Sequence, residues 1–142
     1  MNKSEFSFTH QLRVRFGEVD YQGIVFNAHY LAYFDVALTE YMRAAGITYA
    51  ADVEERDEND FNVVKSVLEL KQPARADDLL DVAVKIGRIG RSSLTWELAI
   101  FREGESEPCS FGEIIWVYAN QHERKSVSIP DELRQKLLGV GS

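Results

Sequence analysis

The stretch from Ala28 to Ala45 has helical periodicity but almost no polar face, and that constrains the fold more than any other feature. Tyr30, Leu31, Phe34, Ala37, Leu38, Tyr41, Met42 and Ala45 wrap most of its circumference. Asp35, Thr39 and Arg43, four apart, with Glu40 beside them, form a narrow polar stripe. A helix apolar nearly all round has to be buried. Its roughly 18 residues span about 27 Å at 1.5 Å each, enough to cross a small sheet. Gly46 follows at a C-cap position.

What surrounds this helix reads as sheet. Phe8 to Phe16 alternates, with Phe8, His10, Leu12, Val14 and Phe16 on one face and Thr9, Gln11, Arg13 and Arg15 on the other. Four more strands follow the helix. Val64, Ser66, Leu68 and Leu70 share one face of the first; Leu80, Val82, Val84 and Ile86 do so in the second; Leu94, Trp96, Leu98 and Ile100 in the third; Phe111 to Ala119 forms the fourth. Residues 87–91 and 103–105 read as hairpin turns. Residues 50–60, with six acids against one arginine, read as a solvated loop or a short exposed helix. Pro130, Asp131 and Glu132 open a short terminal helix. A strand, one long buried helix and then four antiparallel strands is an α+β arrangement with the helix on one sheet face.

At 142 residues, with no repeat or composition break, the chain reads as a single domain over 1–142. Its net charge of −7 argues against a nucleic-acid partner, which requires a basic face. No apolar run approaches the roughly 20 residues of a membrane helix, and the first residues lack a signal-peptide core. The lone Cys109 suits a reducing compartment, so a cytoplasmic location is expected. His10, His29 and His122 have no metal-ligand spacing, so neither a metal nor another cofactor is expected. There is no Gly-x-Ser-x-Gly elbow, phosphate loop or dinucleotide fingerprint.

The residues before the helix carry the chemistry. Asp20 lies in a glycine-containing loop just ahead of a helix start, where unpaired backbone N–H groups and the positive dipole end are available. An aspartate in this position can equally cap the helix or form an Asx turn. The ordered set Asp20, Gly23, Ile24, Val25, Asn27, Tyr30, Tyr33, Phe34 and Asp35 resembles the signature of the hotdog-fold acyl-CoA thioesterases. The resemblance is closest to the 4-hydroxybenzoyl-CoA thioesterase group and the bacterial Tol-Pal-associated thioesterases. Residues 75–78 (RADD) and 87–94 (GRIGRSSL) extend it, so that it covers roughly residues 8 to 133.

That resemblance implies a curved sheet wrapped around the helix, a homodimer or homotetramer, and hydrolysis of an acyl-CoA or aryl-CoA thioester. It implies that Asp20 serves as nucleophile or general base, with oxyanion donors among the amides of residues 23–28 or the neighbouring strand. Asn27 would position the loop or a water, or simply cap the helix; Gly23 and Tyr30 would border the substrate, although Tyr30 also suits the core. Asn27 stands where the Tol-Pal-associated branch often has histidine, which moves the resemblance toward the aryl/acyl-CoA branch. Leu38 replaces an arginine common in relatives, so Asp35 has no ion-pair partner there and reads as structural. Arg88, Arg91 and Ser92 at the glycine-rich turn would grip CoA phosphates, for which guanidinium is suited, or form a solvated hairpin tip. Lys65 and Ser66 lie on the strand that borders the pocket in relatives. Phe26, Tyr30, Tyr33 and Phe61 are candidates for an aromatic acyl pocket or for core. The rival to the enzyme is a non-catalytic acyl-CoA- or acyl-carrier-binding hotdog module, which has no need of Asp20. The acyl group itself is not legible.

Overall fold

The computed structural model describes residues 1–47 and 58–141. Its elements are β1 (Phe8–Arg13), α1 (Asn27–Ala44), β2 (Asn59–Leu70), β3 (Leu79–Ile89), β4 (Ser93–Arg102), β5 (Ser110–Asn120) and α2 (Asp131–Leu138), with 3-10 turns at Lys3–Glu5 and Phe16–Glu18. The strands form one antiparallel sheet in the order β1-β3-β4-β5-β2, leaving β1 and β2 as edges. This is the α+β arrangement that the patterning anticipates, with the sheet around one long helix that the resemblance implies.

α1 lies on one face of the sheet. Tyr30, Tyr33, Phe34, Ala37, Leu38, Tyr41 and Met42 are buried, at the i, i+3, i+4, i+7 spacing of a single helical stripe. Phe34, Leu38 and Met42 are almost wholly inaccessible, and burial of each such side chain stabilises by about 1.5–3 kcal/mol. Tyr41 packs edge-on to Trp96 with ring centroids 4.8 Å apart, and its hydroxyl donates to the Leu137 carbonyl of α2 at 2.7 Å. At Gly112 in β5 the packing is tight on two sides: a Cβ would collide with the Val67 carbonyl oxygen of the neighbouring β2 and sit 3.1 Å from Phe34 Cε2 of α1. On the opposite sheet face Ala83, Ala99 and Phe101 form a second, smaller cluster, covered by Phe6 and Phe111. The N-terminal turn is tied to that face by Lys3, which pairs with Asp81 at 2.6 Å.

Several boundaries differ from the sequence expectation. Strand β1 ends at Arg13, and Phe16 sits in the following 3-10 turn, 75% exposed, instead of facing inward. Residues 87–89 belong to β3, not to a turn: a bulge between Ile86 and Arg88 absorbs the irregularity, pairing continues to Ile89↔Leu94, and the connection is confined to residues 90–92. A second bulge between Val63 and Lys65 puts Val63, not Val64, on the α1 side with Ser66 and Leu68. The acidic segment expected as loop or short helix lies outside the described residues over 50–57, while Asn59 and Asp60 already belong to β2. The helix is also not buried all round. Ala28, Leu31, Ala32, Asp35 and Val36 face outward, because one sheet covers only one side of it.

The contact at Gly112 generates a prediction. Gly112→Ala forces the backbone of β2 to move and crowds the ring of Phe34, and overpacking of this kind costs about 1–3 kcal/mol. Urea unfolding of the variant should show a loss in that range; an unchanged midpoint would mean that β5 is not held this closely against β2 and Phe34.

Candidate active site

The residues between β1 and α1 form a small, heavily braced hairpin. Phe26 N–H donates to the Glu18 carbonyl at 3.0 Å, Val19 bridges Val25, and Asp20 N–H donates to the Ile24 carbonyl at 2.9 Å. At the tip, Gly23 N–H returns to the Asp20 carbonyl at 2.9 Å, with Gly23 at φ 79°. Aspartate at the first position and glycine at the fourth is the composition such a turn favours, and φ > 0 costs glycine nothing. The outer strand of the hairpin is fastened to the segment before β3: Val25 N–H donates to the Ala74 carbonyl at 2.8 Å, and Ile24 bridges Arg75. That segment is tied back in turn, since Asp78 Oδ2 accepts the Arg75 N–H at 2.8 Å and the Asp78 carbonyl accepts the Val14 N–H at 2.9 Å. The RADD residues thus act as a brace behind the loop.

Asp20 sits at the hairpin tip. Its Oδ1 accepts the Gln22 N–H at 2.8 Å, which is an Asx turn, and Oδ2 has no partner among the described residues. Phe26 is the N-cap of α1, no side chain caps the helix, and the Asn27 and Ala28 N–H groups have no hydrogen bond among the described residues. A carboxylate oxygen and two free amide donors at a helix start therefore share one short ribbon. Such a start favours an anion or a developing oxyanion. Asn27 is the first helical residue, exposed, and does not cap α1, so that alternative is removed.

Tyr30 is buried, and its hydroxyl accepts the Ala74 N–H at 3.0 Å. Burial pushes its phenol up; the Ala74 contact opposes this, and the nearby Asp20 charge adds a smaller upward push. In one chain Tyr30 is therefore a strut between α1 and the brace and not an open pocket wall. Tyr33 is likewise buried, and Phe61 packs on Trp116 and Tyr118; of the four aromatic candidates Phe26 is the one classed as exposed.

The sequence reading passed over Glu18. Its side chain is only 10% exposed and accepts four hydrogen bonds: Arg15 N–H at 2.8 Å, Arg15 Nε at 3.0 Å, Arg15 Nη2 at 2.8 Å and the Tyr33 hydroxyl at 2.9 Å. Burial alone would push this carboxyl up, but the bonds from Arg15 and Tyr33, together with the Arg15 charge, outweigh it and hold the group below the usual glutamate range. The available signal was an arginine and a glutamate three apart; Tyr33, fifteen residues on, gave none. Beside this group a groove of about 610 Å³ runs along the outer side of α1, lined by Leu12, Arg15, Glu18, His29, Tyr33 and Val36 among others.

The remaining candidates lie elsewhere. Lys65 and Ser66 are exposed on the β2 edge; Ser66 faces the α1 side and Lys65 the other. Arg88 pairs with Thr95, on the sheet face away from α1. Arg91 donates to Ser128 Oγ at 2.9 Å and Ser126 Oγ at 3.2 Å, and the Ser92 carbonyl accepts the Tyr118 N–H at 2.7 Å. This turn is at the far end of β3 from the Asp20 hairpin, about 30 Å away at ~3.3 Å per residue. One chain does not bring the two together. Among the described residues no helix is long and apolar enough to cross a membrane.

The profile of the thioesterase-like superfamily matches residues 14–137, from just after β1 to the last turn of α2. The chain belongs to that superfamily, and it is a thioester hydrolase of the hotdog class. The acyl-CoA thioester hydrolase YbgC of Escherichia coli is 28% identical over 126 residues, covering 89% of this chain and 92% of its own. The solved structure of the PA5185 protein from Pseudomonas aeruginosa is 27% identical and superposes with a TM-score of 0.86 over 99% of this chain and 96% of its own. A 1,4-dihydroxy-2-naphthoyl-CoA thioesterase from Synechocystis reaches the same TM-score of 0.86 at 16% identity, covering 95% of this chain and 98% of its own, a likeness of fold alone.

The Glu18 site yields a pH prediction. Its folded-state pKa lies below the unfolded one, so the stabilisation is complete above the unfolded value of about 4.3 and is lost as pH falls through the lower folded value. The stability gap between wild type and Glu18→Gln should be constant from about pH 8 to 5 and narrow below about pH 4. A gap independent of pH down to acid unfolding would show that the carboxylate is not held in its charged form.

Proposed function

We propose that the protein hydrolyses an acyl-CoA or aryl-CoA thioester to the free acid and coenzyme A, with Asp20 as the reacting carboxylate. Water adds to the thioester carbon and the thiolate leaves, taking up a proton as CoA thiol. Asp20 Oδ2 either takes the proton of the attacking water or attacks the carbon itself, to be released by water in a second step. The Asn27 and Ala28 N–H groups receive the carbonyl oxygen as it gains charge. The observation that carries this reading is the free Asp20 oxygen on the same braced ribbon as an uncapped helix start. The relative named acyl-CoA thioester hydrolase supports the CoA thioester as substrate. The lone buried Cys109 agrees with a cytoplasmic setting.

We further propose a homodimer or homotetramer built along β2. This edge is twelve residues long and exposes Val63, Val64, Val67 and Leu70. An edge of this length and character invites pairing with another strand. Two-fold antiparallel pairing of β2 with its copy would reverse the partner's sheet. The β3–β4 turn with Arg88, Arg91 and Ser92 would then come to the end that holds Asp20, as a grip for CoA phosphates supplied across the interface, with Ser66 and Lys65 beside it.

Two outcomes test this reading. Asp20→Asn preserves the Asx turn but removes the basic oxygen, so kcat on a panel of aryl- and acyl-CoA thioesters should fall at least ~10²-fold with the fold intact. Turnover near wild type would overturn the assignment of Asp20, and no turnover by the wild type on the whole panel would leave the non-catalytic acyl-CoA- or acyl-carrier-binding module as the better account. Light scattering should give a multiple of the 16.2 kDa chain mass, and Val67→Lys should shift it to monomer with loss of activity. A fully active monomer would contradict the shared site.

A further inference from the structure

Asp20 and Glu18 are two residues apart on one ribbon, yet their surroundings differ in kind. Asp20 is at the tip with one oxygen unpartnered, whereas Glu18 is at the base, buried, with both oxygens engaged. Nothing in thioester hydrolysis as proposed above uses a second carboxylate, and burying one is costly unless it is fully hydrogen-bonded. What the bonds of Glu18 join is informative. Its carbonyl accepts the N–H of Phe26, the N-cap of α1, at 3.0 Å, and its carboxylate accepts the hydroxyl of Tyr33, in the second turn of α1, at 2.9 Å. Its other carboxylate contacts go back to Arg15, on the chain entering the hairpin. The base of the ribbon is thereby fixed to the helix at two heights, and to its own incoming strand.

We propose that Glu18 is a positioning residue for the thioester hydrolysis: by clamping the hairpin base to α1 it holds Asp20 Oδ2 in register with the Asn27 and Ala28 N–H groups. The nucleophile or base and the oxyanion donors sit on opposite sides of this clamp, one on the hairpin and one on the helix, so their separation is set where the two are joined. The inference rests on the assignment of Asp20. A displacement of the order of 1 Å at a reacting group can cost about 10²-fold in rate. Losing a fixed register impairs the transition state without removing the contacts that hold the substrate, so the loss belongs in kcat and not in KM. The groove beside Glu18 and Tyr33 offers the opposite possibility, that they touch the acyl group; that would raise KM.

The experiment measures kcat and KM on whichever CoA thioester of the panel is turned over fastest. It compares Glu18→Gln, Tyr33→Phe, the pair combined, and Asp20→Asn. Glu18→Gln should lower kcat about 10²-fold and Tyr33→Phe about tenfold, each with KM within about twofold of wild type. The pair should lose no more than Glu18→Gln alone, because Tyr33 acts through Glu18. If Glu18→Gln does not fold, Tyr33→Phe decides alone, since it leaves the Arg15–Glu18 contacts in place. Wild-type kcat in the folded variants, or losses confined to KM, would overturn the inference even though Asp20→Asn is inactive. An active Asp20→Asn would overturn the assignment of Asp20 and this inference with it.

Discussion

The packing of α1 on its sheet is the constraint on which the rest depends. The helix contributes a stripe of seven buried side chains, and at Gly112 nothing larger than hydrogen fits between Phe34 and the β2 backbone. The stripe runs from Tyr30 to Met42 and so sets the direction of the helix across the sheet. Its first turn lies at the end of the sheet where β1 finishes and β3 begins, so the loop joining β1 to α1 must close at that end. There the loop becomes a ladder of backbone hydrogen bonds, backed by the segment from Ala74 to Asp78. The same short ladder carries an unpartnered carboxylate oxygen at its tip and ends at the uncapped start of α1.

Division of labour between carboxylates gives the site its electrostatic character. Glu18 holds the structure by being saturated, with Arg15 and Tyr33 supplying every bond and the charge that a buried carboxylate requires. Asp20 keeps one carboxylate oxygen without a partner among the described residues. Tyr30 and Tyr33, which a sequence motif invites one to read as pocket wall, spend their hydroxyls on Ala74 and Glu18 and so link helix, brace and hairpin. Much of the family signature in this chain is therefore scaffold around the Asp20 hairpin.

Periodicity made the architecture legible: the single long helix, five strands and a terminal helix opened by Pro130 all follow from the spacing of apolar residues. It failed where a local irregularity breaks the count. A 3-10 turn turns Phe16 outward, and bulges near Gly87 and Val64 extend one strand and shift the faces of another. Asp20 and Gly23 stood out through the family signature, and the Asx turn and positive φ found there account for their residue types. Glu18 was not, since its meaning comes from Tyr33, and side-chain contacts across fifteen residues leave no trace in a pattern of period 2 or 3.6. Arg88 and Arg91 show the opposite limit. Their chemistry suits phosphate, but their distance from Asp20 along β3 is a property of the folded chain that residue types alone do not reveal.

The most direct test is a crystal structure of the protein with an acyl-CoA analogue whose thioester is replaced by a non-hydrolysable ketone. The analogue's carbonyl oxygen should accept hydrogen bonds from the Asn27 and Ala28 N–H groups at about 2.7–3.1 Å, with Asp20 Oδ2 facing the carbonyl carbon directly or through one water. A carbonyl held away from the start of α1, with Asp20 still turned in upon its own loop, would contradict the account.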